Sequence, residues 1–179
     1  MTTIQPMDPD TFRSLAGDAA GVYGAAMKRS PEVVVQRRDL ITQHAGFVGF
    51  LASGAFEPET DTDQGRLVGF GYGYPGRPGQ WWHDVVAGAL GREATKRWLN
   101  DGFELAELHV LPENQGHGLG RALLTDLFAR VEARHVVLST PDTDSRARSL
   151  YRSFGFTDLR RGFRFPGSDE DYAIMGVDR

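Results

Sequence analysis

Val110-Leu-Pro-Glu-Asn-Gln115-Gly-His-Gly118-Leu-Gly120-Arg121 joins two segments of different periodicity. Phe103–Leu111 before it alternates as a strand. Gly118–Ala133 after it carries Leu119, Ala122, Leu123, Leu127 and Val131 at helical spacing. Gly116, Gly118 and Gly120 alternate through the junction, so the backbone can approach a ligand with no Cβ in the way. The N–H groups of a helix's first turn lack partners within the helix, and the helix dipole adds positive potential there. A diphosphate is the natural occupant of such a turn, and Arg121 can add a side-chain charge. A tight turn that needs glycine only for positive φ is the simpler explanation, but it requires one glycine rather than three.

Better-known glycine motifs do not fit. Arg121-Ala122 follows the last glycine where a nucleotide-binding P-loop needs Lys-Ser or Lys-Thr. Gly71-Tyr-Gly73-Tyr-Pro-Gly76 matches a dinucleotide-binding pattern, but Arg77-Pro78-Gly79 leaves no helix start behind it. No G-x-S-x-G elbow is present, and the histidines at 44, 83, 109, 117 and 135 have no metal spacing, so no metal is expected.

Outward from the junction, His135–Ser139 reads as a short β-branched strand. Ser145–Phe154 reads as a helix N-capped by Asp144 or Ser145 and ended by Gly155. Phe156–Phe165 and Asp171–Val177 close a sheet as an antiparallel pair. On the N-terminal side, helices are expected over 10–27 and 31–44, the second N-capped by Ser30. Strands are expected over 46–52 and 66–74, joined by the acidic loop Glu57–Gln64. Residues 75–102 are a different kind of segment: Pro75, Gly76, Pro78 and Gly79, then Trp81-Trp82, then a short helix around Glu93–Leu99. This order predicts an α/β fold with helices on both faces of a mixed sheet, whose β-α-β portion is parallel.

The 179 residues suit one domain. Apolar content of 40% and charged content of 25% are those of a globular chain. A net charge of −4 argues against nucleic acid as a partner. The absence of cysteine excludes disulfides, thiolate ligands and a cysteine nucleophile. The N-terminal stretch MTTIQPMDPD has no secretory character, and no apolar run approaches the ~18 residues of a membrane span. A cytoplasmic protein with no membrane partner is expected.

Gln115-x-x-Gly118-x-Gly120 after Val110-x-Pro112 resembles motif A of the GNAT superfamily, the Gcn5-related N-acetyltransferases. Ala147-x-x-Leu150-Tyr151-x-x-x-Gly155-Phe156 looks like that family's next motif, at the right distance and in the right order. Together they cover the C-terminal third to half of the chain. The resemblance implies a GNAT-like, mostly antiparallel central sheet with a parallel β-α-β cofactor unit. It also implies acetyl-CoA or another acyl-CoA as donor and a primary amine as acceptor. Pantetheine maps to the strand backbone of Leu108, His109 and Val110. The pyrophosphate maps to the amides of Gln115, Gly116, His117, Gly118, Leu119, Gly120 and Arg121. One position departs from the family: Asp144 stands where an asparagine is common, which puts its contact with CoA in doubt. A homodimer through the C-terminal strands is a further implication.

Acylating an amine requires a base for the ammonium, a fixed donor for the thioester oxygen and an acid for the departing thiolate. The resemblance places Tyr151 beside the sulfur as that acid, although Ala147, Leu150 and Phe154 share its apolar face and make it equally a core residue. Glu104 and Glu107 lie on the cofactor strand with opposite faces by alternation: Glu104 with Ala106, Leu108 and Val110, Glu107 with Leu105 and His109. Glu104, counted back from Gln115, matches a position where family members carry a base, and Glu107 is the alternative. His109 is a further candidate that can equally pack or bond locally, and His117 lines the turn. Some relatives use no dedicated base.

Trp81, Trp82 and Trp98 all fall within 75–102, an insertion that forms an acceptor lid, with Trp81 and Trp82 touching substrate, or else covers a sheet edge. The resemblance implies a small-molecule or peptide amine as acceptor, with nothing in the sequence choosing between a metabolite, an aminoglycoside, a peptide N-terminus and a protein lysine. Two other readings stay open: a non-catalytic acyl-CoA-binding module, and a nucleotide-phosphate binder.

Overall fold

A computed structural model describes residues 1–59 and 62–179. Its elements in chain order are β1 (Thr3–Met7), α1 (Pro9–Ser14), α2 (Ala16–Met27), α3 (Pro31–His44), β2 (Leu51–Glu59), β3 (Thr62–Pro75), α4 (Trp81–Leu90), α5 (Arg92–Trp98), β4 (Gly102–Val110), α6 (Leu119–Arg130), β5 (His135–Pro141), α7 (Arg146–Ser153), β6 (Thr157–Phe163) and β7 (Tyr172–Asp178). Among the described residues the strands form one sheet in the order β1-β2-β3-β4-β5-β7-β6. The registered pairs are antiparallel except β4 with β5, which run parallel from Gly102↔His135 to Glu104↔Val137. This is the mixed, mostly antiparallel α/β sheet expected. No helix among the described residues is long and apolar enough to cross a membrane.

The chain divides into two compact units: residues 1–74 with 107–131, and residues 75–106 with 132–179. In the first, the run Gly69-Phe-Gly-Tyr-Gly-Tyr74 explains how a glycine-rich segment makes a strand. Its aromatic face meets α1, where Phe12 lies 5.2 Å ring to ring from Tyr72 and 6.0 Å from Phe70. Its glycine face admits α6 and a side chain of β4: a Cβ on Gly71 would stand 3.0 Å from Leu127 Cδ1 of α6 and 2.9 Å from Leu108 Cδ1 of β4. The dinucleotide-like glycine match is thus a strand surface, and no helix follows until Trp81. Helices therefore lie on both faces of this unit's strands.

In the second unit, β5 pairs with β7 from His135↔Asp178 to Pro141↔Tyr172, and β6 lies against β7's other edge. Helices α4 and α5 bury Val86, Trp98 and Leu99 against Val137, Phe165 and Ile174. Gly176 seats the Trp98 indole, since a Cβ there would come 2.8 Å from the ring.

Several boundaries move. The helix expected over 10–27 breaks at Leu15 (φ −96°, ψ 8°) into α1 and α2, and Asp8 caps α1 by accepting from the N–H groups of Asp10 and Thr11. The strand expected over 46–52 starts only at Leu51, because the chain turns through Gly49 at φ 80°. Glu57 and Pro58 belong to β2 rather than to a loop, and residues 60 and 61 of the expected acidic connection lie outside the described residues. β1 falls where the sequence reading assigned no element, and it contains Pro6. As an edge strand it tolerates the missing N–H. Residues 81–90, to which the sequence reading assigned no element, form α4, with Trp82, Val85, Val86 and Ala89 inward at helical spacing. Ser145, not Asp144, caps α7, accepting from the Arg148 N–H at 3.2 Å.

Candidate functional site

The turn before α6 has the features of an anion cradle. Gly116 and Gly118 both adopt φ 83°, a left-handed conformation that costs a side-chain-bearing residue about 1–2 kcal/mol. Gly118 is the N-cap of α6 and no side chain among the described residues caps the helix, so its leading N–H groups point out of the turn. Gly120 is already helical, so its lack of a Cβ answers no backbone need. The turn is anchored from below: Gln115 Nε2 donates to the Val110 carbonyl at 2.9 Å, and Asn114 Nδ2 donates to Glu57 Oε1 at 2.6 Å. Gln115, Gly116, His117, Gly118 and Arg121 are exposed, Leu119 and Gly120 half-buried. His117 lines the turn, with Nδ1 3.4 Å from the Asn114 carbonyl.

Upstream on β4, alternation holds. Leu108 and Val110 face α6, where Val110 packs with Val68 and Leu123. Glu107 and His109 face α2 and α3. There Arg37 Nη1 donates to Glu107 Oε1 at 2.6 Å and Arg37 Nη2 to the Tyr23 hydroxyl at 3.0 Å. The guanidinium lies 4.3 Å from the Tyr23 ring centroid. His109 Nε2 meets Glu107 Oε2 at 2.5 Å, and the Tyr23 ring stands edge-on to the imidazole at 5.2 Å. Burial pushes Glu107 upward, but the His109 hydrogen bond and the nearby Arg37 outweigh it and hold the carboxyl below its ordinary range. Sequence reading picked out Glu107 and His109 separately. It missed Tyr23, Arg37 and His44, which lie on helices with weak amphipathic pattern.

His44 closes this cluster, with Nδ1 3.0 Å from the Tyr72 hydroxyl and Nε2 3.4 Å from that of Tyr74. Burial lowers its pKa from 6.5 to about 4, opposed by Glu107 and reinforced by Arg37. The native state therefore keeps His44 neutral where the unfolded chain already binds a proton. Above the unfolded value the group adds no pH dependence. As pH falls from 6.5 to 4, stability should drop by about 3 kcal/mol on its account. Urea midpoints of wild type and His44→Gln at pH 7 and pH 4 measure this, and the variant's acid loss should be smaller by that amount. Equal losses in the two proteins would refute the assignment.

In the second unit Glu104 is buried at 4% exposure, in the part of β4 that pairs with β5. Tyr151 is buried on α7, its ring 5.7 Å from Phe156 in an edge contact. Asp144 is exposed before that helix. Trp81 is 61% exposed and stacks obliquely on Phe165 at 5.7 Å, whereas Trp82 is tied down by its indole N–H donating to Ser139 Oγ at 2.9 Å. Sequence reading passed over Arg148, one turn before Tyr151. It is 1% exposed, pairs with Asp142, and donates to both oxygens of Asp158 at 2.6 and 2.7 Å.

Comparison with known proteins gives the family. Residues 59–158 match the family model for an acetyltransferase (GNAT) domain. A GCN5-like protein acetyltransferase of Mycobacterium tuberculosis is 36% identical over 95% of this chain and 94% of its own. The ribosomal-protein-S18-alanine N-acetyltransferase of Escherichia coli shares the fold, with a TM-score of 0.64 at 20% identity over 99% of this chain and 94% of that one. So does the PaiA N-acetyltransferase of Thermoplasma acidophilum in complex with coenzyme A, with a TM-score of 0.62 at 16% identity over 100% and 99% of the two chains. The chain belongs to the GNAT family of acetyltransferases.

Proposed function

We propose that residues 1–179 act as one N-acetyltransferase domain, moving an acetyl group from acetyl-CoA to a primary amine by direct attack on the thioester. The observation that carries this is the uncapped N-terminus of α6 behind two left-handed glycines, a cradle fitted to the diphosphate of CoA. The name of the mycobacterial relative, a protein acetyltransferase, favours a peptide or protein amine as acceptor over a small metabolite. Tyr151, on the motif that resembles the family's, is assigned to protonating the departing thiolate. Trp81, exposed at the start of α4, remains the candidate for acceptor contact within 75–102.

The first test is thermal unfolding alone and with acetyl-CoA, CoA or ADP at matched concentrations. A ligand at a hundred times its dissociation constant adds about 2.7 kcal/mol, enough to move the midpoint by several degrees. Acetyl-CoA and CoA should stabilise more than ADP, because the pantetheine arm adds contacts along the backbone of Leu108, His109 and Val110. Equal shifts from all three would point to a nucleotide-phosphate binder. No shift from any of them would sink the reading.

A further inference from the structure

Three side chains on β4 can take a proton, and their surroundings differ. Both oxygens of Glu107 are engaged, Oε1 by Arg37 at 2.6 Å and Oε2 by His109 at 2.5 Å. An acid so held is a poor base, because a hydrogen-bonded and charge-paired carboxylate has little affinity for another proton. Glu104 is buried in the paired part of the strand. His109 differs from both: its ring keeps 14% exposure, and its Nδ1 has no hydrogen-bond partner among the described residues.

The tautomer follows from the pair. An ionised carboxylate can only accept, so the proton between the two groups sits on Nε2 of the neutral imidazole. The lone pair is then on Nδ1. Arg37 fixes the carboxylate, the carboxylate fixes the imidazole, and Tyr23 packs against both the guanidinium and the ring. This is the logic by which a buried acid orients a catalytic histidine, built here from a strand and two helices.

We propose that His109 is the catalytic base that takes a proton from the acceptor's ammonium, with Glu107 and Arg37 as positioning residues. The inference rests on the acetyltransferase reading. The ammonium gives one proton to His109 Nδ1, which passes it to solvent. The freed nitrogen pair forms the C–N bond at the thioester carbon and the C–S bond breaks. The thiolate leaves, and the nitrogen's second proton balances the one that sulfur takes up. The charged and titratable groups around the imidazole are Glu107 on its own strand, Tyr23 from α2, Arg37 and His44 from α3, and Tyr72 from β3.

The test uses the full chain, acetyl-CoA and a synthetic peptide with a free N-terminus and an internal lysine, with thiol release followed against pH. His109→Gln keeps an amide N–H for Glu107 but has no basic nitrogen. It should lower kcat/KM at neutral pH by about 100-fold, remove the acid limb, and leave stabilisation by acetyl-CoA intact. His109→Asn reads the same limb should the glutamine variant not fold. Arg37→Met should lower kcat with little change in KM, and Arg37→Lys should restore it. Independently of turnover, nitrogen-15 shifts of the imidazole should report the Nε2–H tautomer in wild type. An acid limb that survives in His109→Gln but vanishes in Glu104→Gln overturns the proposal, as does an Nδ1–H tautomer. A wild type that acetyl-CoA fails to stabilise overturns the acetyltransferase reading itself, and this proposal with it.

Discussion

Gly118→Glu should lose its response to acetyl-CoA while remaining folded. A Cβ at Gly118 meets nothing within 4 Å, so no neighbour must move to admit a side chain. Two effects then remain. The first is backbone strain, because φ 83° costs an ordinary residue about 1–2 kcal/mol. The second is electrostatic: a carboxylate beside the uncapped α6 N-terminus would occupy the position proposed for the diphosphate and repel it. At an effective dielectric constant of about 20 and a separation near 5 Å, one charge pair contributes about 3 kcal/mol, or about 100-fold in affinity. Gly118→Asn separates the two, since asparagine tolerates the left-handed conformation and carries no charge. The expected order of acetyl-CoA affinity, by calorimetry or thermal shift, is wild type, then the asparagine variant within about tenfold, then the glutamate variant about 100-fold weaker. Similar affinities for wild type and the glutamate variant would remove the cradle from the binding site and leave the proposed function without its main support.

What could be read from the chain alone follows the range of the interactions. The β4 strand, the turn and α6 were legible because their signals are local: alternation in 103–111, glycines at fixed spacing, leucines at helical spacing. The β6–β7 pair was legible for the same reason. The strand character of 66–74 was harder, since its glycines weaken β propensity in isolation. They become sensible only once α6 is seen lying on Gly69 and Gly71. β1 failed because Pro6 demotes a strand unless it is known to be at an edge, and edge position is a property of the sheet. α4 carries its signal in the spacing of Trp82, Val85, Val86 and Ala89, but it is short and follows Pro75, Gly76, Pro78 and Gly79, which read as chain breakers.

The candidate site divides in the same way. The alternation that sets Glu107 and His109 on one face and Leu108 and Val110 on the other is a property of one strand and was legible. The contact that gives Glu107 its character was not. Arg37 lies 70 positions away, on a helix whose polar and apolar residues are poorly segregated. Gly24, which looks like a defect in α2, is where α3 approaches so closely that a Cβ would stand 2.4 Å from Val34. That close packing brings Tyr23 and Arg37 together, and it has no signature in either helix read alone.

Arg148→Met should give the largest stability loss of any substitution considered for the second unit. Arg148 is 1% exposed and joins Asp142, just past the end of β5, to Asp158 at the start of β6. Removing the buried cation between two acids costs about 2–3 kcal/mol, less than for a fully buried pair because the Asp158 side chain is 25% exposed. The two acids are not equally affected. Asp142 keeps Arg161 Nε at 3.0 Å and the Gly162 N–H at 2.8 Å, whereas Asp158 keeps Arg152 at 3.6 Å. The stranded charge is therefore mainly Asp158, and Asp158→Asn in the Arg148→Met background should recover part of the loss. Urea unfolding of the two single variants and the double variant closes the cycle, read as midpoint shifts at constant slope. Arg148 and Tyr151 are three positions apart and so share a face of α7, so the same substitution should lower kcat in protein that is still folded. A midpoint within about 1 kcal/mol of wild type would mean that the triad contributes no more than an exposed pair. The position of Tyr151 would then have to be held by its packing against Phe156 instead.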